Sequence, residues 1–420
     1  MNYAEHAIVR DETLDYVHYP LEHDFPLDEY RLRVARARTE MARGGLDALV
    51  ITSGQVGRWF TGRDEPHSWH DDVPSRSTWY ILTPAQDYLY MTPTNNHNFA
   101  SARRSTWVSE VQEIVERTEW PRVEIWGLGQ MPRIFAGLGL ARSRLGFELG
   151  DTMTLGLNVN DFLQLRELMA GAELVDASPA IRRLMAIQTP LEIARMRAAC
   201  EAGVWIHAQV PRILRPGLTE RQFFAQLQEV FSAQFDVGYH YEVEGSWDIR
   251  NAEAGDYHLY HHGVTDRVFR RGDQICRGTS GAHYRGYGGD VDRIWYVGRP
   301  PEIVRRWYRL TWECNRAMAA RIRPGARCSD VYAASVEIER RYGLVPGRSG
   351  RRGHGLRNTG GLSVHPDKHT MLEPGMILSV EPMFGNAHGF YDLEDQYVVT
   401  ERGAEYLHEP APEELPVVED

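Results

Sequence analysis

Four blocks in the second half of the chain collect His, Asp, Glu and Gly far beyond what packing needs, and any fold this sequence adopts has to accommodate them. The first runs from His261-His262-Gly263-Val264-Thr265-Asp266-Arg267 into Arg271-Gly272-Asp273. The second is Tyr284-Arg285-Gly286-Tyr287-Gly288-Gly289-Asp290-Val291-Asp292-Arg293. The third joins Gly353-His354-Gly355-Leu356 to Gly361-Leu362-Ser363-Val364-His365, and the fourth passes from Leu372-Glu373-Pro374-Gly375-Met376 through Glu381-Pro382 to Glu394-Asp395. Ionisable groups are costly to bury unless paired, so their concentration points to a site. Gly286, Gly288 and Gly289 read as backbone devices for close approach.

At 420 residues the chain is too long for one core. Two domains are expected, 1–186 and 187–420. In the first, Tyr30, Val34, Ala37 and Met41 recur at helical spacing over Asp28 to Arg43, and Gly44-Gly45 supplies a stop. Ala48 to Ile51, Trp79 to Leu82 and Tyr88 to Met91 read as strands, which makes an α/β layer. The second opens at Thr189-Pro190-Leu191-Glu192: a hydroxyl cap, proline in the first turn, and Glu three residues after the cap. Helices over Thr189 to Val210 and Thr219 to Phe235, then Gly-rich strands, indicate α+β rather than regular βαβ alternation.

Several classes are disfavoured. A net charge of -11 with scattered arginines offers no footprint for nucleic acid. No run approaches the roughly 18 apolar residues of a membrane span, and the first residues lack the basic and apolar segments of a secretion signal. The expected setting is cytoplasmic, without a membrane partner. Cys200, Cys276, Cys314 and Cys328 form no CxxC pair and read as buried thiols.

In order and spacing the four blocks resemble the pita-bread-fold superfamily of creatinase, prolidase, aminopeptidase P and methionine aminopeptidase, over roughly residues 187 to 408. The resemblance implies a C-terminal pita-bread fold preceded by a smaller α/β domain, and a hydrolase. Metallopeptidase members hold two divalent ions with two Asp, one His and two Glu. Here Thr279 replaces the first Asp, while Asp290, Glu381 and Glu394 match the second Asp and both glutamates. The prolidase pattern HGLxHxxGLxVH lies without gaps on His354 to His365 and puts Asn358 at the histidine-ligand position; a simpler GHG pattern makes His354 the ligand. The first alignment is preferred because it fits twelve residues. With two of five ligands gone, a dinuclear centre is not expected and no cofactor is favoured, a single Fe, Zn or Mn ion being the alternative.

The first block also resembles creatinase, whose HNPVTNRIVQSGD parallels His261 to Asp273 and whose catalytic histidine falls on His261. Creatinase lacks the first metal Asp, carries Glu at the place of Asp292, and shares Pro324-Gly325-Ala326-Arg327-Cys328. It keeps a histidine at the place of Asn358 and has no acid at Asp290. The resemblance implies that His261 moves the proton and that Asp292, Glu381 and His365 complete the catalytic group. Asp290, Glu394, His354 and Asn358 then contact substrate. Arg76, near the place of a creatinase arginine that reaches a carboxylate across a dimer interface, implies a homodimer and an amphoteric substrate.

Plainer roles stand beside these. His261 is a structural histidine if His262 is the active one, Asp292 pairs with Arg293 at the surface, and His354 and His365 support loops. Four carboxylates converging without a metal repel one another and call for raised pKa values or a cationic, N–H-rich small substrate. Three functions remain: a metal-free C–N hydrolase of the creatinase or ectoine hydrolase kind; a peptidase or lyase using Asp290, His354, Glu381 and Glu394 around one ion; and an inactive ligand-binding homologue.

Overall fold

The computed structural model describes all residues except 1–24, 63–77, 92–105, 115–117, 120–121, 124, 152, 238–240, 244–245, 259–263, 279–281, 346–349, 357–360 and 420. The chain divides into two compact units, Met1–Leu184 and Met185–Asp420.

In the first unit the predicted helix spans Leu27–Gly44 and buries Tyr30, Val34, Ala37 and Met41, the residues that carried the periodicity. It ends because Gly45 turns left-handed at φ 61, a conformation glycine adopts without steric cost. Behind it lies a six-stranded mixed sheet in the order Glu110–Glu113, Asp87–Met91, Thr78–Leu82, Ala48–Ile51, Arg144–Phe147, Glu173–Asp176. Val50, Trp79, Ile81, Leu145, Phe147, Met131 and Phe135 form its core.

In the second unit the helix start read at Thr189 forms. The Thr189 hydroxyl accepts the Glu192 N–H at 3.2 Å and the Glu192 carboxylate accepts the Thr189 N–H at 2.9 Å, a reciprocal cap for the helix Pro190–Ile213. Thr219 and Gln222 repeat the device for Glu220–Gln234. Both helices cover one face of a five-stranded sheet, ordered Asp256–His258, Ser246–Asn251, Gln274–Gly278, Arg293–Val297, Val417–Val418, through Ile206, Val210, Phe223, Phe231, Ile275 and Trp295. A second sheet, ordered Gly353–His354, Ile377–Val380, Asp395–Thr400, Gly403–Tyr406, packs with residues of Glu302–Ala319 and Cys328–Arg341 through Met318, Val331, Tyr332, Leu378, Val380 and Tyr397. The hairpin Met383–Asn386 and Gly389–Asp392 follows the Ile377–Val380 strand. Where the sheets meet, Asp292 and Glu394 exchange main-chain hydrogen bonds of 3.4 and 3.3 Å, so the second and fourth blocks touch at their acids.

All four cysteines are free and buried, as read. Among the described residues no helix is long and apolar enough to cross a membrane.

Candidate active site

Asp290 reaches the site because Gly289 has no side chain: a Cβ there would lie 2.9 Å from the backbone N and Cα of Cys200 on the helix Pro190–Ile213. His354 depends on a similar approach. It follows Gly353, whose added Cβ would stand 2.3 Å from the Ser379 carbonyl oxygen, and it pairs with Ser379 across the sheet. Glu381 follows the fully buried strand Ile377–Val380, and Glu394 follows the hairpin.

These segments converge. The Nε2 of His354 lies 3.5 Å from Asp290 Oδ2, 3.6 Å from Glu381 Oε1 and 3.4 Å from Glu394 Oε1. Its Nδ1 is 2.9 Å from the Gly355 carbonyl oxygen, which can only accept, so Nδ1 carries the proton of that bond. Nε2 is therefore the ring nitrogen turned toward the three carboxylate oxygens. Only a proton or a cation between them makes that arrangement favourable.

The acids respond accordingly. Burial, then the charge of Glu381, pushes Asp290 up to about 8. Burial raises Glu381, opposed by His354 and Arg351, and raises Glu394 well above the usual range, with Asp290, Glu381, Asp292 and Asp392 adding to it. Glu394 also accepts a hydrogen bond from the Ser379 hydroxyl, which in turn receives the Gln396 amide at 3.1 Å. Arg351 approaches Glu381 at 3.3 Å.

Asp292 is 2 % exposed, which corrects its alternative as a surface partner of Arg293. Arg293 bonds the Asp292 and Glu394 carbonyls at 2.8 and 2.9 Å and pairs with Asp395 at 2.9 Å. Burial would push Asp395 up, but Arg293, His408 and Arg316 outweigh it and hold it low, so this acid is structural. The Asp292 carboxyl instead meets Asp392, a residue absent from the sequence reading. Asp392 is 2 % exposed and raised well above the carboxylate range by burial, then by Asp292, Glu381 and Asp290. Spacing along the chain does not mark it, because it joins the cluster through the hairpin Met383–Asn386 and Gly389–Asp392.

His365 has different neighbours: its Nδ1 receives the Asp367 N–H at 3.2 Å and its ring lies 6.3 Å from that of Tyr332. His261, Arg76 and Asn358, and also Thr279, lie outside the described residues.

Two family models match the chain. Residues 194–401 match the metallopeptidase family M24 and residues 33–187 the creatinase/prolidase N-terminal domain. The chain belongs to the pita-bread-fold superfamily. This pita-bread protein is 28 % identical over 358 residues to a probable dipeptidase PepE of Mycobacterium tuberculosis, covering 80 % of this chain and 91 % of that one. It is 26 % identical over 403 residues to a creatinase of a Bacillus species, with 91 % of each covered. The crystal structure of dipeptidase PepE from Mycobacterium ulcerans superposes with a TM-score of 0.72 at 25 % identity, over 94 % of this chain and 100 % of that one. The pita-bread chain is an enzyme, a hydrolase acting on C–N bonds.

The superfamily's metal can be tested against the residues present. One donor atom each from Asp290, His354 and Glu394 lie within 4.8 Å of one another, and Glu381 faces the same imidazole nitrogen. Three carboxylates and an imidazole suit one divalent ion. Thr279, at the sequence position of the family's first Asp, brings no carboxylate to bridge a second ion.

Proposed function

We propose that this enzyme hydrolyses a C–N bond of a small, cationic or N–H-rich molecule, amphoteric in character, held at the acid cluster of its C-terminal unit, without a dinuclear metal centre. The observation that carries the reading is the convergence of Asp290, Glu381 and Glu394 on His354 Nε2 at 3.4–3.6 Å. The Gly355 carbonyl fixes the imidazole, so the ring aims Nε2 at the cluster. Acids held above their usual range supply a proton to a departing nitrogen at neutral pH, and the remaining carboxylate charge holds substrate N–H groups. Asp292 adds a further carboxylate beside them. His261 keeps its expected part as proton carrier, and Arg76 of a second copy its part at a substrate carboxylate, which makes a homodimer the working unit. A single divalent ion bound by Asp290, His354, Glu381 and Glu394 would supply Lewis acidity and a water of lowered pKa.

A second reading is a metal-dependent dipeptidase, favoured by the donor group of Asp290, His354 and Glu394, with Glu381 beside it, together with the likeness to PepE. Protein purified without added metal separates the two when its metal content is measured and it is assayed, with and without chelator, on guanidino, ureido and cyclic amidine compounds and on Xaa-Pro dipeptides. Turnover of the first group that survives chelation supports the proposal. Turnover confined to dipeptides and abolished by chelation overturns it.

A further inference from the structure

We infer that His207, on the helix Pro190–Ile213, is a positioning residue that holds the segment Asp290-Val291-Asp292 in place at the acid cluster. Its kinetic consequence rests on the proposed reading that this cluster breaks a C–N bond. The His207 Nε2 lies 2.7 Å from the Val291 carbonyl oxygen, and Val291 is the residue between the two acids. A carbonyl only accepts, so Nε2 carries the proton of this bond. Burial, then the charges of Arg277 and Arg293, hold the His207 pKa well below its usual range, which leaves the ring neutral with that one N–H. The ring is buried, yet its Nδ1 has no hydrogen-bond partner among the described residues. An unmet buried acceptor costs at least as much as one neutral hydrogen bond returns. Stability alone therefore does not account for an imidazole at this place, and what the ring contributes is the bond from Nε2.

The helix seats this segment with one face. Cys200, Gly203 and His207 recur at intervals of three and four residues, which places them on one side of the helix. A Cβ on Gly289 would lie 2.9 Å from the Cys200 backbone, and one on Gly203 would stand 3.6 Å from a Val291 methyl, so segment and helix are in close packing there. Packing limits distance but leaves orientation free, whereas the His207 hydrogen bond is directional. It takes the oxygen of the peptide group that joins Val291 to Asp292, while the N–H of the same group reaches the Glu394 carbonyl at 3.4 Å. That second bond is long, so the shorter bond from His207 sets the plane. With the plane set, Asp290 Oδ2 stands 3.5 Å from His354 Nε2. A misplacement of about 1 Å at such a site costs on the order of a hundredfold in rate.

Two amide variants of the full-length protein separate reach from polarity. His207→Gln carries its amide nitrogen to about the place of Nε2, and His207→Asn carries it only to the place of Nδ1, short of the Val291 carbonyl. Crystal structures and steady-state kinetics of both are compared with the wild type on whichever substrate it turns over. His207→Gln is expected to keep Asp290 beside His354 and kcat within about threefold of the wild type. His207→Asn is expected to move Asp290 away from His354 by about 1 Å and to lower kcat per folded molecule at least about tenfold, with KM changing less. Wild-type kcat in His207→Asn, an Asp290 that has not moved in its structure, or equal losses in the two variants overturns the inference. Should His207→Asn fail to fold, His207→Gln decides: kcat near the wild-type value supports the role, and a tenfold loss rejects it, as does failure of both to fold. Absence of turnover of every guanidino, ureido and amidine compound by the wild type would remove the proposed reaction, while the place of Asp290 in the two crystal structures would still decide on His207.

Discussion

His354 occupies a point where three blocks of the sequence meet, and its two ring nitrogens have separate tasks. Nδ1 is held by the Gly355 carbonyl and Nε2 faces the acids. Replacing it with Ala leaves Asp290, Glu381 and Glu394 facing one another with neither proton nor imidazole between them. His354→Ala is therefore expected to lower kcat/KM by at least about a hundredfold, the scale on which positioned acid–base groups act, measured on whichever substrate the wild type turns over. Loss of less than a few fold would assign the ring to loop support. Spacing could not show that His354 faces the acids, because it stands in a glycine-rich loop pattern. That orientation depends on the antiparallel register that sets His354 opposite Ser379.

Short strands and glycine-bounded turns deliver these side chains, and backbone proximity rather than side-chain chemistry limits what the elements tolerate. At Gly353 a methyl group would sit 2.3 Å from the Ser379 carbonyl oxygen, with a Val364 methyl at 3.0 Å. Neither the paired strand nor that core residue has room to yield. Gly353→Ala is expected to destabilise the protein by roughly 2 kcal/mol or more and to displace His354. Urea unfolding reads the first effect and loss of activity per folded molecule the second; a variant with wild-type values in both would show that the strand can shift. The helices were legible earlier and more completely, since the caps of Pro190–Ile213 and Glu220–Gln234 lie within three residues of the ends they define. The hairpin was not: Asp392 joins the cluster only because Gly389–Asp392 folds back on Met383–Asn386.

On the scale of the whole molecule the N-terminal unit carries its own titrating group. Glu148 is 1 % exposed and accepts the Thr52 and Ser53 N–H groups at 2.8 and 3.0 Å, with the Ser53 hydroxyl also bonded to it. Burial nonetheless wins over those hydrogen bonds and raises it from 4.5 to about 7. A folded pKa above the unfolded one means that the folded state holds the proton more tightly. The stability from this group is thus full below pH 4.5 and is lost as pH rises through 7, a difference on the order of 3 kcal/mol. Urea unfolding at pH 5 and pH 8 should show a larger fall for the wild type than for Glu148→Gln, which keeps an acceptor and cannot ionise. Equal falls would mean that Glu148 does not titrate in this range.

The sequence by itself determined the kind of residues at the site and the ends of the long helices. Both are local properties: a cap is settled within one turn, Asp290 is marked by the glycines before it and Glu381 by the proline after it. Tertiary structure alone decided that His354 receives the three acids, that Arg293 serves Asp395 and main-chain carbonyls instead of the Asp292 carboxyl, and that Asp392 stands beside Asp292. Those outcomes follow from the register between strands distant in sequence and from the bridge between Asp292 and Glu394, where burial and neighbouring charge act across space with no trace in spacing along the chain.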